Sequence, residues 1–101
     1  MEEKYKEDYQ KFIDAWGEDT QIDMCIEEMS ELIKELLKYR RIKKSNSNKD
    51  KIEERKEKVQ EEIADVLNTV EQMAFIFGEK EVVRIREDKI NRTLKKLEGQ
   101  Y

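Results

Sequence analysis

Two pairs of acidic residues have a spacing that suits metal chemistry. Glu28 and Glu31 form the first pair, Glu62 and Asp65 form the second, and each pair lies within an apolar stretch. Residues three apart are neighbours on the surface of an α-helix. Because burying unpaired like charges is strongly unfavourable, the pattern favours a cation bound between two helices.

The residue types indicate which cation would bind. The chain has no histidine and one cysteine, so the four carboxylates would form a site of oxygen ligands. Such ligands favour Mg²⁺, with Mn²⁺ as a substitute, over zinc or copper. The lack of histidine also argues against a di-iron carboxylate site, which needs a Glu-x-x-His motif. Since substrate phosphates normally complete a Mg²⁺ shell, the pattern predicts a phosphorylated small-molecule ligand.

A solvated acidic helix face is the competing interpretation. Charged residues make up 46% of the chain, so acidic pairs at this spacing also occur without function. Glu31 lies nearly opposite the centre of its own apolar stripe, which suits a solvated position. The spacing alone leaves both interpretations open.

Helices must position these carboxylates, and the apolar periodicity predicts four of them. Glycines lie where helices should end, because glycine accepts left-handed backbone angles. The first predicted helix carries Tyr5 to Trp16 and ends at Gly17, and Asp19 or Thr20 caps the second. A polar loop at about 43–50 follows. The third helix is predicted from about Lys51 to Phe77 and the fourth from about Glu79 to Leu97, with a tail at 98–101.

The predicted fold is all-α, a single domain over residues 1–101 with the two long central helices packed antiparallel. The side chains expected to be buried are Val59, Ile63, Val66, Val70, Met73 and Phe77 of the third helix, and Val83, Ile90, Leu94 and Leu97 of the last. A chain of 101 residues with 37% apolar side chains buries a modest core. We therefore expect oligomerisation to complete it.

Composition disfavours two classes of partner and suggests a compartment. The net charge of −4, from 25 acidic and 21 basic residues, gives no broad basic surface for duplex nucleic acid. No long apolar run and no signal peptide occur, so no membrane partner is expected. Cys25 is the single cysteine, and a chain without an internal disulfide is expected in a reducing cytoplasm.

The order of the motifs resembles that of the MazG-like nucleotide pyrophosphohydrolases over roughly residues 16–95. The family pattern is Glu-Glu-x-x-Glu, a spacer, then Glu-x-x-Asp, with a basic motif downstream. The spacer here is slightly longer than usual, and the polar loop accounts for the difference. The similar segments are Trp16-Gly17 through Gln21, Glu27-Glu28-Met29-Ser30-Glu31-Leu32, Glu62-Ile63-Ala64-Asp65 and Asp88-Lys89-Ile90-Asn91-Arg92.

The resemblance implies a fold, an activity and an assembly. The fold would be a four-helix MazG-like bundle that forms a homodimer or a dimer of dimers. The activity would be Mg²⁺-dependent hydrolysis of nucleoside triphosphates, dNTPs or modified nucleotides, to a monophosphate and pyrophosphate, in nucleotide house-cleaning or pool control. The metal ligands that it implies are Glu28, Glu31, Glu62 and Asp65.

The resemblance also implies substrate-binding and catalytic roles for residues around this metal. Lys89 and Arg92 would bind the phosphates, and Glu27 would act as a base for water or support the ligands from outside. Asn68 and Thr69 follow Asp65 by one turn, near the metal and the substrate. Trp16 and Gln21 are candidates for a base pocket, since aromatic faces stack on bases. For Trp16 we favour the alternative that it packs in the core with the first helix.

Two other functions fit a charged helical chain. One is a non-catalytic helical interaction or regulatory module that retains the MazG-like fold. The other is a plain coiled-coil dimer, which is the least favoured because the apolar spacing drifts from strict heptads and glycines interrupt the chain.

Overall fold

The computed structural model describes residues 3–45 and 48–99. None of these residues forms a strand, which confirms the predicted all-α class. They form a 3₁₀ turn at Glu3–Tyr5 followed by the helices α1 (Lys6–Trp16), α2 (Glu18–Lys44), α3 (Lys49–Phe77) and α4 (Glu79–Leu97).

The start of α2 differs from the prediction. The helix begins at Glu18, directly after Gly17, and no side chain caps it, so the expected cap at Asp19 or Thr20 is wrong. Gly17 has φ +87°, a left-handed value that glycine adopts without strain. Its N–H donates to the carbonyl of Ile13 at 2.7 Å, and its carbonyl accepts from Gln21 N–H at 3.3 Å. One glycine therefore ends α1 and starts α2 through its backbone alone.

The connection between α2 and α3 is shorter than the predicted loop at 43–50. Basic residues in the last turn of α2 favour its extension to Lys44, since they complement the helix dipole. The third helix begins at Lys49 rather than at about Lys51, because Asn48 caps it: its Oδ1 accepts from Lys51 N–H at 2.9 Å. Loop positions 46 and 47, and positions 100 and 101 of the tail, lie outside the described residues.

Helices α2 and α3 share the main interface of the chain, and α1 packs against both. The hydroxyl of Tyr9 on α1 donates to the Glu71 carboxylate on α3. Among the described elements, the backbone of α4 comes close to that of α3 alone. An ion pair of 2.9 Å between Lys6 Nζ and Glu79 Oε2 also holds the first turn of α4. Most of α4 thus extends away from the other helices.

The core of the single chain is small. Its buried apolar residues are Tyr9, Cys25 and Ala74, and its buried polar residues are Gln21, Thr69 and Gln72. Val59, Val66, Met73 and Val83 are half-buried. The expected burial of the other predicted core residues is wrong within one chain, because no described element covers their side of α3 or of α4. These exposed residues are Ile63, Val70, Phe77, Ile90, Leu94 and Leu97.

Trp16 is also more exposed than expected. Its side chain keeps 59% of its accessible surface, so the expectation of core packing is wrong. The indole stacks on Phe12, with ring centroids 5.8 Å apart. It therefore extends the aromatic stripe of α1 along the surface. Among the described helices, none has a stretch both long and apolar enough to cross a membrane.

Candidate metal centre

The two acidic motifs lie in the uninterrupted middle of α2 and of α3. Glutamate is a good helix former, so neither motif breaks its helix. The spacing of three residues puts Glu62 and Asp65 on adjacent turns of α3. Because α2 packs along α3, this places them beside Glu28 of α2.

Three carboxylates converge at this point and form what we call the acidic cluster: Glu28, Glu62 and Asp65. One carboxylate oxygen from each lies within 4.8 Å of the other two. In an octahedral Mg²⁺ shell with bonds of about 2.0–2.1 Å, neighbouring ligand oxygens are about 2.9 Å apart and opposite ones about 4.2 Å apart. The three oxygens would therefore have to move closer together to share one ion, and their all-carboxylate chemistry suits a hard divalent cation.

The charges in the cluster repel one another. Partial burial raises the pKa of Glu28 above its usual 4.5, and the charges of Asp65 and Glu62 raise it further. The pKa of Glu62 is raised by partial burial and then by Asp65 and Glu31. Glu62 Oε2 is also buried and accepts no hydrogen bond from the described residues. Burial and repulsion both disfavour the charged form, and a bound cation would offset both.

A nearby carboxylate shows what ordinary pairing looks like in the same interface. Glu35 on α2 forms ion pairs with Arg55 Nη1 of α3 and with Lys38 Nζ of its own helix, each at 3.5 Å. No ion pair among the described residues reaches any member of the acidic cluster. The interface therefore supplies cationic side chains to Glu35 and leaves the cluster without them.

Glu31, the fourth predicted ligand, lies beside the cluster rather than in it. Its Oε1 is 3.5 Å from Lys34 Nζ on the same helix. Its charge still contributes to the raised pKa of Glu28 and of Glu62, which shows that it is close. The structure thus brings three of the four predicted ligands together and holds Glu31 at their edge.

Glu27 is exposed on the outer side of α2. Its backbone carbonyl accepts a hydrogen bond from Ser30 Oγ at 2.7 Å. Its charge contributes to the raised pKa of Glu28, after the larger effects of burial, Asp65 and Glu62. Glu27 therefore acts on the cluster through its charge.

The predicted phosphate-binding residues, Lys89 and Arg92, are not brought to the cluster within one chain. Both are exposed on the part of α4 that extends away from the other helices. The cluster lies between α2 and α3, and the backbone of α4 does not approach α2 among the described contacts. A role for these cations at the cluster would need a second copy of the chain.

The predicted base-pocket residues separate into two groups. Gln21 and Thr69 are buried, with Thr69 Oγ1 donating to the carbonyl of Val66 at 3.0 Å. Asn68 lines a pocket between α1 and α3, whereas Trp16 is not part of that pocket's lining. The residues that line it are Tyr5, Asp8, Tyr9, Phe12, Asn68 and Gln72.

Sequence reasoning missed most of this pocket. Gln72 follows Asp65 by seven residues, a spacing that returns to the same helix face, so its side of α3 was predictable. The participation of Tyr5, Tyr9 and Phe12 depends on how α1 crosses α3, which apolar periodicity does not encode.

Comparison with known proteins gives no relative. No protein-family model matches the chain, and neither a curated protein nor a solved structure matches it.

Proposed function

We propose that the protein is a Mg²⁺-dependent pyrophosphohydrolase of nucleoside triphosphates, with dNTPs or modified nucleotides as substrates. The observation that carries the proposal is the acidic cluster: three carboxylates within 4.8 Å, two of them with raised pKa values, and no cationic side chain paired to them among the described residues. A protein retains such repulsion at a loss of stability, which a functional metal site explains.

The carboxylates of Glu28, Glu62 and Asp65 would hold the cation, with Glu31 as a fourth ligand after it leaves Lys34. Bound Mg²⁺, which Mn²⁺ can replace, supplies charge stabilisation at the phosphoryl group and lowers the pKa of a coordinated water. Glu27 would take the proton of the attacking water or hydrogen-bond to it. The products would be a nucleoside monophosphate and pyrophosphate.

We further propose that two copies complete the site, as a homodimer or a dimer of dimers. From Lys89 to Leu97, α4 carries Lys89, Arg92, Lys95 and Lys96 and no acidic residue. This basic segment complements the acidic cluster in charge, and α4 extends outward from its own chain. On a neighbouring copy, Lys89 and Arg92 would neutralise substrate phosphates as negative charge develops on the leaving pyrophosphate.

We also propose a MazG-like four-helix bundle in which the two long central helices pack antiparallel. Glu28 meets Glu62 and Asp65, whereas Glu35, further along α2, meets Arg55, which is earlier in α3. We infer from this order that α2 and α3 pack antiparallel. We also place the protein in a reducing cytoplasm, because Cys25 is a free buried thiol.

The test is product analysis by ³¹P NMR, with a panel of canonical and modified dNTPs and Mg²⁺. We expect pyrophosphate and monophosphate, and no turnover in EDTA. The variant Glu62→Gln removes one ligand charge, whereas Glu61→Gln changes an exposed neighbour and is the matched control. Orthophosphate as the sole phosphate product, or full activity in Glu62→Gln, would contradict the proposal.

A non-catalytic interaction module is the second candidate, and the exposed apolar side chains of α2, α3 and α4 favour it. It predicts that Mg²⁺ and nucleotide leave the thermal stability unchanged. The enzyme proposal predicts that they stabilise the fold, because a ligand that binds the folded state alone raises its stability.

A further inference from the structure

A pocket of about 330 Å³ lies between α1 and α3. Three aromatic rings, those of Tyr5, Tyr9 and Phe12, form one side, and we call it the aromatic pocket. Asp8 on α1 and the amides of Asn68 and Gln72 on α3 supply its polar groups. Flat apolar walls with a few fixed polar atoms are typical of sites for small planar ligands.

Gln72 has an unsatisfied polar atom behind this wall. The residue is 6% exposed, and its Oε1 is buried without a hydrogen-bond donor among the described residues. Buried amides in folded proteins nearly always have partners. The wall also includes the carboxyl of Asp8, whose oxygens accept hydrogen bonds. The pocket therefore favours a ligand edge that donates N–H groups, and it disfavours an anionic phosphate.

The aromatic pocket continues from the acidic cluster along one face of α3. Asp65, Asn68 and Gln72 are spaced by three and then four residues, which keeps them on that face. Asn68 is one helical turn from Asp65, and Gln72 is about 10 Å from it along the axis. A nucleotide whose phosphates meet the cluster would thus have its base near the pocket.

We propose that the aromatic pocket binds the nucleobase of the substrate and prefers bases that carry an exocyclic amino group, such as cytosine and adenine, over thymine. The amino group donates to Asp8, or to the Gln72 carbonyl once that side chain turns into the pocket, whereas the carbonyl edge of thymine would face acceptors. The rings of Tyr5 and Phe12 contact the faces of the base, since aromatic side chains stack on any base. The base preference is a property of the proposed hydrolase and rests on that function.

The test uses uncharged probes without metal, so that binding does not depend on the acidic cluster. Deoxycytidine, deoxyadenosine and thymidine are titrated into ¹⁵N-labelled protein in EDTA. We expect amide shifts centred on Tyr9, Asn68 and Gln72, with thymidine binding at least several-fold more weakly. Gln72→Leu should weaken deoxycytidine binding about tenfold, whereas Gln60→Leu, an exposed glutamine of the same helix, should not change it.

The exposed Asn68 provides a second variant, Asn68→Ala, if Gln72→Leu does not fold. Three results would overturn the proposed base binding: deoxycytidine binds the folded variants as tightly as the wild type, thymidine binds as tightly as deoxycytidine, or the amide shifts are confined to α4. If Asn68→Ala and Gln72→Leu release pyrophosphate with the KM of the wild type, the proposed base binding in the pocket is wrong, whereas the proposed hydrolase activity is supported. If nucleosides bind to the aromatic pocket but the protein hydrolyses no dNTP, the proposed base binding is supported and the proposed hydrolase activity is wrong.

Discussion

At the residue scale, the protein places carboxylates where their charge is least favourable. Glu28 and Glu62 are half-buried, and each is close enough to Asp65 for its pKa to rise. The exposed Glu81 shows the opposite behaviour, since a hydrogen bond from Arg84 lowers its pKa. The difference lies in the partners: Glu81 has a guanidinium, and the cluster has other carboxylates.

Replacing Glu62 by glutamine tests whether this repulsion is real. In EDTA at pH 7, we expect Glu62→Gln to raise the unfolding temperature, because it removes a charge from a crowded position. Mg²⁺ should then stabilise the variant less than the wild type. Circular dichroism melts with and without Mg²⁺ measure both effects.

The control for this variant is Glu61→Gln, which removes an exposed partner of Lys58 at 3.8 Å and the smallest of the charge contributions to the raised pKa of Glu62. A surface pair contributes about 0–1 kcal/mol, so little change is expected in either condition. A lower unfolding temperature for Glu62→Gln in EDTA, with an intact response to Mg²⁺, would contradict the account.

The raised pKa values also predict how the metal-free protein responds to pH. A carboxyl whose pKa is raised on folding binds its proton more tightly in the folded state than in the unfolded state. Its stabilising contribution is present below pH 4.5 and is lost as the pH rises through the raised pKa of the folded state.

The difference in unfolding temperature between wild type and Glu62→Gln isolates this effect from other groups. In EDTA, we expect the wild type to lose stability relative to the variant as the pH rises from 4.5 toward neutrality. Melts at several pH values measure this difference. A constant difference over that range would show that Glu62 titrates normally.

At the element scale, two glycines determine where α1 passes into α2 and where α3 passes into α4. Gly78 has φ +114°, and no atom lies within 4 Å of where a Cβ would be. Its backbone N–H donates to the Ala74 carbonyl at 3.0 Å, and its carbonyl accepts from Val82 N–H at 3.1 Å. Both helices therefore depend on the backbone angles of this residue.

We expect Gly78→Ala to lower the free energy of unfolding by about 1–2 kcal/mol, because an L side chain is strained at this positive φ. Urea unfolding measures the loss. Gly99→Ala is the control: its φ is +73°, but it follows the last helix and joins no further described element. An equal loss in both variants would contradict the prediction that the backbone angles of Gly78 matter more because two helices depend on them.

The sequence predicted the helices better than their burial. Apolar periodicity and the positions of Gly17 and Gly78 define four helices, and these are local properties. Burial is not local, so Ile90 and Leu97 have core-like spacing and are still exposed in the single chain. In the site, the neighbouring positions within each acidic pair were predictable from spacing. The meeting of Glu28 with Glu62 and Asp65 depends on how α2 packs along α3, and the contribution of Gln72 depends on α1.

At the scale of the whole molecule, the chain exposes more apolar surface than is usual for a monomer. Large apolar side chains are exposed on α2, α3 and α4, among them Ile33, Leu36, Leu67, Ile90 and Leu94. Monomeric proteins rarely leave contiguous patches of this kind uncovered. Association of copies through these faces would complete the small core.

Substituting the exposed face of α4 should dissociate the oligomer. We expect the wild type to exceed the monomer mass of 12.3 kDa in light scattering, and Ile90→Lys with Leu94→Lys to shift it toward the monomer. Asn91→Lys, an exposed polar position of the same helix, should keep the wild-type mass. A monomeric wild type at micromolar concentration would contradict the oligomer.

The proposed activity requires that Glu28, Glu62 and Asp65 together bind a divalent cation. Titration with Mn²⁺, followed by electron paramagnetic resonance, counts bound ions directly and needs no substrate. We expect one or more Mn²⁺ per chain that Mg²⁺ displaces, with affinity at least tenfold lower in Glu62→Gln and unchanged in Glu61→Gln. Equal Mn²⁺ binding in the wild type and in Glu62→Gln, or none in the wild type, would contradict it.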